Sequence, residues 1–330
     1  STSEAERLFR LVDRLRNQGV AILYISHRMS DIRQIADRIV CMRDGEISGV
    51  FGGCPLDLDG AVTAMLGHKI TEVDIAVQTG GMPVLEIDGI SLQAGSVPVS
   101  LTATDGEVVA ITGLLGSGKS RLAEIIFGLS SPGSGQMRID GQPYAPASST
   151  QAVAAGVFMS SKDRITNAVI PDFNIANNMT LPFLKKFSTM SLLKSRMQRD
   201  AAKGMIDQIG VVCQSEMDSI MTLSGGNQQK VMIGRWLLED CRVLLLDEPF
   251  QGVDIGARRD IGRHIRATAK GRATLVFVSE LDEALEIADR IIVLNEGAMA
   301  GLHENADVDL SALIAQISGT VPNSVQVSQS

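Results

Sequence analysis

Short apolar runs alternate along the chain with amphipathic stretches and glycine-rich turns. Glu107–Thr112 and Val243–Leu246 are continuous apolar runs, typical of buried parallel strands. The stretch 121–127 has helical apolar spacing and stops at Gly128. Together these patterns predict an α/β domain with a mostly parallel core sheet and an antiparallel β segment. Further strands are predicted over 20–25, 38–43, 84–88, 137–140 and 156–160, and further helices over 4–17 and 227–238.

A glycine-rich loop joins the strand at 107–112 to the helix at 121–127. It matches the phosphate-binding pattern G-x-x-x-x-G-K-[ST]. Backbone N–H groups of such a loop face phosphate oxygens, and the helix N-terminus adds partial positive charge. Lys119 is expected to reach the β- and γ-phosphates, and the Ser120 hydroxyl to ligate Mg²⁺. The alternative, a glycine-rich turn with a chance lysine, does not explain the strand–loop–helix context. The predicted binding residues are Gly113, Leu114, Leu115, Gly116, Ser117, Gly118, Lys119, Ser120 and Arg121.

Two acidic residues, Asp247 and Glu248, end the apolar run at 243–246. Because parallel sheets bind ligands at the carboxyl ends of their strands, both are expected to lie beside the phosphate-binding loop. Asp247 can then hold Mg²⁺, and Glu248 can act as a general base on the attacking water. The alternative is an acidic strand end before a turn at Pro249, which would be preferred if the loop were not present upstream.

A third motif, Leu-Ser-Gly-Gly-Asn-Gln-Gln, occupies residues 223–229 at the start of a predicted helix. Ser224 and the N–H groups of Gly225 and Gly226 would form an anion site there, with Gln228 in the same motif. Since the chain already has one phosphate cradle, this site predicts a nucleotide carried by a different domain. A serine N-cap with flexible glycines is the alternative for Ser-Gly-Gly alone. In this order, the three motifs indicate an ATP-binding cassette.

Part of the chain is repeated. Residues 35–39, Ile-Ala-Asp-Arg-Ile, recur at 287–291, an offset of 287 − 35 = 252 residues. The repeat predicts the end of one cassette followed by a complete second cassette, so we expect a piece of a longer two-cassette protein. The expected division is 1–66 for the end of the first nucleotide-binding domain, 67–83 for a linker, 84–305 for the second domain with an inserted helical subdomain at about 164–222, and 306–330 for a helix remnant and disordered tail.

Over almost its whole length the chain resembles the fused double-cassette ATPases of bacterial importers for ribose, galactose, arabinose and xylose. The resemblance implies the P-loop NTPase fold, ATP and Mg²⁺ as cofactors, and ATP hydrolysis that energises import of a sugar or related small polar solute. It also implies that His27 contacts the γ-phosphate of the first cassette and that Asp254 lies in a loop between cassettes. The matching segments are Tyr24–Met29, Arg43–Gly45, Leu223–Lys230, Asp247–Pro249 and Gly252–Ala257.

The same resemblance implies the partners. Two cassettes form a dimer that sandwiches ATP and docks on integral-membrane permease subunits, with a periplasmic or lipoprotein sugar-binding protein acting indirectly. The chain is therefore expected on the cytoplasmic side of the bacterial plasma membrane, as a peripheral subunit. The methionine-rich subdomain at 164–222 would contact the permeases, although methionines also serve as core filler.

Among the residues that depart from the family pattern, two bear on ATP hydrolysis. By the 252-residue offset, Ser279 stands where His27 stands in the first part, and Lys162 stands where the family commonly has glutamate. A charged lysine neither accepts a proton from water nor ligates a metal. We therefore expect the second cassette to bind ATP better than it hydrolyses it.

Composition narrows the classes of function. The formal net charge of −8 disfavours a nucleic-acid partner, which normally requires a basic face. No apolar run of the sequence approaches the ~20 residues that span a bilayer. The four cysteines have no metal or redox spacing, which fits a reducing compartment. A non-transport double-cassette ATPase and a non-hydrolysing regulatory module are the alternative functions.

Overall fold

The fold is described from a computed structural model. It covers residues 2–25, 32, 34–43, 46–53, 56–57, 60–61, 64, 80–93, 95–162, 168–190, 192–253 and 255–319. His27, Asp254 and the predicted tail beyond residue 319 lie outside these residues.

Six strands form the central sheet. They are β5 (Val108–Thr112), β8 (Val157–Ser160), β11 (Val243–Asp247), β12 (Ala273–Val278), β13 (Arg290–Asn295) and β14 (Ala298–Glu304). Their order is β14-β13-β5-β12-β11-β8, and only β14 is antiparallel to its neighbour. The predicted mostly parallel core is confirmed.

The central sheet is covered on both faces, which explains its continuous apolar strands. In β5, Val108 and Ala110 belong to one hydrophobic cluster, whereas Val109 and Ile111 belong to another. Alternate side chains of a strand point to opposite faces, so both faces must be apolar when both are covered. Helix α2 (Lys119–Ile126) contributes buried residues to the second cluster.

A separate antiparallel sheet contributes buried side chains to the second hydrophobic cluster. It consists of β3 (Pro83–Ile90), β4 (Val99–Thr104), β6 (Gln136–Ile139) and β7 (Gln142–Tyr144), in the order β4-β3-β6-β7. Two of these strands were predicted as β segments, at 84–88 and 137–140. The predicted antiparallel segment is therefore confirmed, and it is larger than the sequence indicated.

Helices on the other face contribute to the first cluster, and a short helix follows β7. The larger ones are α7 (Ile255–Ala267), α8 (Leu281–Ile287) and α9 (Leu310–Ser318), and the short one is α3 (Ser149–Ala154). A 3₁₀ turn at Asn305–Asp307 precedes α9. None of the helices in the described part of the chain is long and apolar enough to cross a membrane.

Residues 168–238 contain a mostly helical region with a hydrophobic cluster of its own. Helices α4 (Ile175–Thr180), α5 (Ser195–Ile209) and α6 (Gly225–Trp236) form it, with 3₁₀ turns at Leu181–Phe183 and Ile220–Thr222 and a hairpin of β9 (Ser188–Thr189) and β10 (Leu192–Leu193). Helix α6, which lies beyond the expected limit of 222, completes the cluster. Met205 is buried there, whereas Met190 on the hairpin is 94% exposed.

The first part of the chain contains α1 (Thr2–Asn17) and an antiparallel pair, β1 (Arg38–Arg43) and β2 (Glu46–Gly52). The predicted helix at 4–17 and strand at 38–43 are confirmed, but the predicted strand at 20–25 is wrong. Leu23 is 89% exposed and Ile25 91% exposed. A strand needs a hydrogen-bonded neighbour, and none of the described residues pairs with this segment.

Candidate functional site

The glycine-rich loop at 113–118 connects β5 to α2 at the carboxyl edge of the central sheet. A Cβ on Gly113 would lie 2.2 Å from the Leu294 carbonyl oxygen, and one on Gly118 would lie 2.6 Å from Leu92 Cδ1. Both glycines have positive φ, 150° and 101°, so other residues would be strained there. Helix α2 has no side-chain cap. Its first N–H groups are therefore available to an anionic ligand.

Lys119, Glu248 and Ser279 meet beside this loop, although they come from three different elements. Lys119 is 5% exposed, and its Nζ donates to Glu248 Oε1 at 2.9 Å and to Ser279 Oγ at 2.5 Å. Ser279 in turn holds the glutamate, since its Oγ donates to Oε1 at 2.5 Å and its backbone N–H to Oε2 at 3.2 Å. The sequence predicted Lys119 and Glu248 together. The 252-residue offset placed Ser279 at the position of His27, but it did not predict the contact of Ser279 with Glu248.

Glu248 directs its carboxylate toward the loop through an unusual backbone conformation. Its φ of 48° lies in the left-handed region, which is rare for a residue other than glycine. Its backbone N–H donates to the Phe277 carbonyl at 2.8 Å, so the residue is anchored to β12. Strained residues of this kind cluster at functional sites.

Asp247 lies at the end of β11 and is only 4% exposed. Ser120 lies close enough to lower the pKa of this carboxyl group, while Oδ1 has no hydrogen-bond partner in the described part of the chain. Burial raises the pKa of Asp247, and the positive charge of Lys162, ahead of that of Lys119, opposes this rise. The predicted pair of Ser120 and Asp247 is therefore brought together.

A third carboxyl group, on Glu283, approaches the site from α8 and was missed by the sequence reading. Burial raises its pKa to about 8, with a further contribution from the negative charge of Glu248. Arg258 and Lys119 act in the opposite direction. The site thus contains more acidic groups than its two strand-end carboxylates.

The residues present fit Mg·ATP. Three buried oxygens near the loop, Thr112 Oγ1, Ser117 Oγ and Asp247 Oδ1, have no partner among the described residues. Oxygen ligands suit Mg²⁺, which is commonly bound by one or two protein groups plus substrate phosphates. Within the described residues, no cluster of three or more histidine, cysteine or acidic side chains could hold a metal by itself. Ser120 and Asp247 would hold the cation, and the loop N–H groups and Lys119 would hold the phosphates.

Two predicted binding residues of the loop occupy other surroundings. The Arg121 guanidinium turns toward the end of α2, where Nε donates to the Leu92 carbonyl at 3.3 Å and Nη1 contacts Ser130. Leu115 lies at the tip of the loop and is 64% exposed. Among the described residues, no hydrogen bond links the Arg121 side chain to Lys119, and the Leu115 side chain has no polar atom. Any role of these two residues in binding is therefore expected to come from their backbone.

The motif at 223–229 begins α6. Ser224 is the N-cap, because its Oγ accepts from the Asn227 N–H at 3.4 Å and from Asn227 Nδ2 at 3.1 Å. A Cβ on Gly226 would lie 2.6 Å from Ala257 Cβ, so α6 packs closely on α7. Gln228 is buried and donates to the Ile220 carbonyl at 3.2 Å. The structure therefore confirms Ser224 as a helix N-cap. Contact with a nucleotide stays a prediction for Ser224, Gly225, Gly226 and Gln228.

Comparison with known proteins gives a consistent picture. Residues 97–251 match the profile of the ABC transporter family. The ribose import ATP-binding protein RbsA 2 of Rubrobacter xylanophilus is 36% identical over 328 residues, which cover 99% of this chain and 63% of that protein. The arabinose import ATP-binding protein AraG of Pseudomonas syringae pv. tomato is 36% identical over 318 residues, covering 95% and 63%.

Solved structures support the fold. A nucleotide-free ATP-binding cassette from an ABC transporter aligns with a TM-score of 0.58 and 21% identity, over 68% of this chain and 92% of that one. A dimeric cassette in a post-hydrolysis state, bound to ADP and Pi, aligns with a TM-score of 0.57 and 20% identity, over 68% and 100%. The chain spans less than two thirds of the length of the import proteins it matches. Residues 97–251 belong to the ABC transporter family, and the chain carries its ATP-binding cassette.

Proposed function

We propose that this chain binds Mg·ATP at the loop 113–120 and that the protein hydrolyses ATP to energise import of a sugar or a related small polar solute. The observation that carries the proposal is the meeting of Lys119, Ser120, Asp247 and Glu248 at one edge of the sheet. The substrate class is inferred from relatives described as ribose and arabinose import ATP-binding proteins.

The residues would divide the reaction between them. Bound ATP supplies the phosphoryl group that passes to water, and Mg²⁺ neutralises the phosphate charge. Lys119 would exchange its contact with Glu248 for the β- and γ-phosphates, which releases the carboxylate. Glu248 would then accept a proton from the water as its oxygen bonds to the γ-phosphorus and the bond to ADP breaks. Ser279 would keep Glu248 in place through its two hydrogen bonds.

The motif at the start of α6 is proposed to complete the nucleotide site of a different cassette. A serine N-cap followed by two glycines presents N–H groups that suit a phosphate. The proposed division of the chain into 1–66, 67–83, 84–305 and 306–330 follows from the 252-residue repeat. Integral-membrane permeases would bind the cassettes at the cytoplasmic side of the membrane, and a sugar-binding protein would act through those permeases.

A regulatory module that binds ATP without turnover is the second candidate. It is favoured by Lys162 and Ser279, which stand at positions where the related first part and the family have other side chains. An ATPase assay with added cognate permeases distinguishes these two candidate functions. ATP turnover that rises on adding permeases supports the transporter subunit, and tight ATP binding without turnover in their presence supports the regulatory module.

Replacement of Lys119 by alanine tests ATP binding at this loop. Loss of a charged hydrogen bond costs ~1.5–3 kcal/mol, so Lys119→Ala should weaken ATP binding by about 10- to 100-fold in calorimetry with excess Mg²⁺. Lys270→Ala is the matched control, because Lys270 is exposed and precedes β12 at the opposite edge of the sheet. Equal affinity of wild type and Lys119→Ala would refute the proposed site.

A further inference from the structure

The hairpin of β9 and β10 presents apolar side chains at the surface of the helical region. Leu192 is 74% exposed, and Met190 and Leu193 are exposed beside it. The base of the hairpin is anchored, because Phe187 is buried and its carbonyl accepts from the Lys194 N–H at 2.8 Å. These apolar side chains therefore project from a hairpin that the fold holds in place.

Five exposed basic residues flank the hairpin, before β9, after β10 and at the start of α5. The segment 173–199 contains no acidic residue, although the whole chain has a formal net charge of −8. Lys186 pairs with Glu239 at 2.6 Å, and Arg196 lies 3.9 Å from Asp200. The other three form no ion pair with any residue that the structure describes. The five are Lys185, Lys186, Lys194, Arg196 and Arg199.

The positive charge does not stabilise the element that carries it. The first turn of a helix favours acidic side chains, because its N–H groups bear partial positive charge. Helix α5 has no acidic residue in its first turn, and its N-cap, Lys194, makes no side-chain capping bond. Neither these basic side chains nor the exposed apolar ones serve the local fold, so their placement indicates a partner outside the chain.

We propose that this hairpin patch binds the surface of a membrane that contains anionic lipids. The apolar side chains would enter the boundary between headgroups and acyl chains, and the basic ones would lie at the level of the lipid phosphates. The inference goes beyond the proposed function, since it concerns a surface outside the nucleotide site. The hairpin patch consists of the five basic residues with Met190, Leu192 and Leu193.

Charge and side-chain type favour lipid over other partners. Cytoplasmic loops of membrane proteins carry an excess of lysine and arginine, which would repel the basic residues of the patch. Single-stranded nucleic acids bind where exposed aromatic side chains stack on bases, and residues 188–193 include no aromatic residue. Anionic lipids match both the charge and the aliphatic side chains.

Co-sedimentation of the chain with lipid vesicles tests the proposal without permeases. Binding to vesicles of phosphatidylglycerol and phosphatidylcholine in equal parts should be about tenfold or more tighter than binding to phosphatidylcholine alone. It should also weaken with added salt, because the charges are exposed and salt screens them. Equal binding to both kinds of vesicle, or no binding to the anionic ones, overturns the proposal. The second result leaves permease subunits as the occupant of the patch.

Two basic residues of the patch test the role of charge. Lys185→Gln combined with Lys194→Gln should weaken binding to the anionic vesicles by about tenfold or more. Lys270→Gln combined with Arg138→Gln is the matched control, since both residues are exposed outside the helical region and the net charge changes equally. Equal binding by these two double variants would show that charge in the patch has no special role, which overturns the proposal.

The apolar side chains are tested in the same assay. Met190→Ser combined with Leu192→Ser should weaken binding, whereas Val212→Ser combined with Met221→Ser should not. Val212 is 74% exposed, as Leu192 is, but lies beyond the other end of α5. All four side chains are exposed, so urea unfolding should show folded variants, and ATP affinity should remain that of wild type. Loss of vesicle binding in neither double variant overturns the proposal and leaves the proposed ATP site intact.

Discussion

Glu283 shows how burial changes the chemistry of one residue beside the candidate site. It is 8% exposed, and its pKa is raised from 4.5 to about 8, first by burial and then by the charge of Glu248. Between these two values the unfolded chain has released this proton and the folded chain still holds it. Stability then falls as the pH rises, because the folded state binds more protons than the unfolded state. Glu283 therefore favours folding most at low pH and destabilises the fold progressively from about pH 4.5 to pH 8.

Replacement of Glu283 by glutamine should remove this dependence. Each pH unit in which only the unfolded carboxyl is ionised contributes ~1.4 kcal/mol. The stability of Glu283→Gln relative to wild type should thus increase by up to about 2.7 kcal/mol between pH 6 and pH 8, measured by urea unfolding. Glu304→Gln, which removes an exposed carboxyl group, is the control. A difference that stays constant across this pH range would contradict the prediction.

Site residues that belong to short sequence motifs could be predicted from the sequence. Site residues that only the fold brings together could not be predicted in the same way. Lys119, Ser120, Asp247 and Glu248 were found because their spacing within the chain has a chemical meaning. Ser279 contacts Glu248 only because β11 and β12 pair in parallel and end at the same edge. Glu283 approaches the site from α8, one turn further along the chain. Such contacts depend on strand order, which no short motif encodes.

One buried lysine joins helix α6 to two neighbouring helices. Lys230 is 7% exposed, and its Nζ donates to the Gly210 carbonyl, at the end of α5, at 2.8 Å. The same ammonium group contacts the carboxylate of Asp260 on α7, and this contact lowers the pKa of Asp260. Lys230 therefore joins three helices, α5, α6 and α7.

Replacement of Lys230 by methionine, which preserves most of its volume, should destabilise the fold. The loss should be about 1–3 kcal/mol, since the Gly210 carbonyl and Asp260 lose a charged donor, although Asp260 is partly exposed and regains water. ATP affinity at the loop 113–120 should not change. Lys203→Met is the control, because Lys203 is 61% exposed and lies 3.7 Å from Glu216. Equal stability of the two variants in urea unfolding would show that the Lys230 contacts contribute nothing.

Predictions of whole elements succeeded where tertiary packing supports the local pattern. Val20–Ile25 has an apolar pattern like that of its counterpart 252 residues later, which forms most of β12. Strand β12 lies between β5 and β11 and is entirely buried. The segment at 20–25 has no strand neighbour among the described residues and is not a strand. The apolar pattern therefore shows that a segment is able to form a strand. It forms one only where a neighbouring strand provides hydrogen-bond partners.

Across the whole molecule, the repeated segment shows how context determines the role of an identical sequence. Asp289 is fully buried, accepts from the Val108 N–H of β5 at 2.8 Å and pairs with Arg266 at 3.0 Å. Its counterpart Asp37 has a side chain that is 79% exposed, and it lies 3.3 Å from Arg16. The difference follows from the partners of each strand: β13 pairs with both β5 and β14, whereas β1 pairs with β2 alone in the described part.

The arrangement of the nucleotide motifs predicts how the chain behaves by itself. Its sequence has one phosphate-binding loop and one Leu-Ser-Gly-Gly motif, and the latter is proposed to act on the nucleotide of a different cassette. A single copy would then lack a complete hydrolytic site. We expect turnover of ATP far below ~10 s⁻¹, the median for enzymes, in a sample shown to be monomeric by sedimentation. Turnover near that value in such a sample would contradict the proposal.

We propose that two copies of the chain assemble the missing site, with Lys119 from one copy and Ser224 from the other, and mixing two inactive variants tests this directly. Lys119→Ala removes the phosphate-binding cation but leaves Ser224, whereas Ser224→Trp blocks the motif but leaves Lys119. A mixed dimer contains one site with both groups intact, so the mixture should hydrolyse ATP faster than either variant alone, with a rate that rises more than linearly with protein concentration. A second mixture, in which both variants also carry Glu248→Gln, is the control and should stay inactive, because no general base remains at the restored site. If each variant alone is inactive while wild type hydrolyses ATP, and mixing restores nothing, the two motifs must serve the same copy, and the proposed role of the α6 motif is wrong.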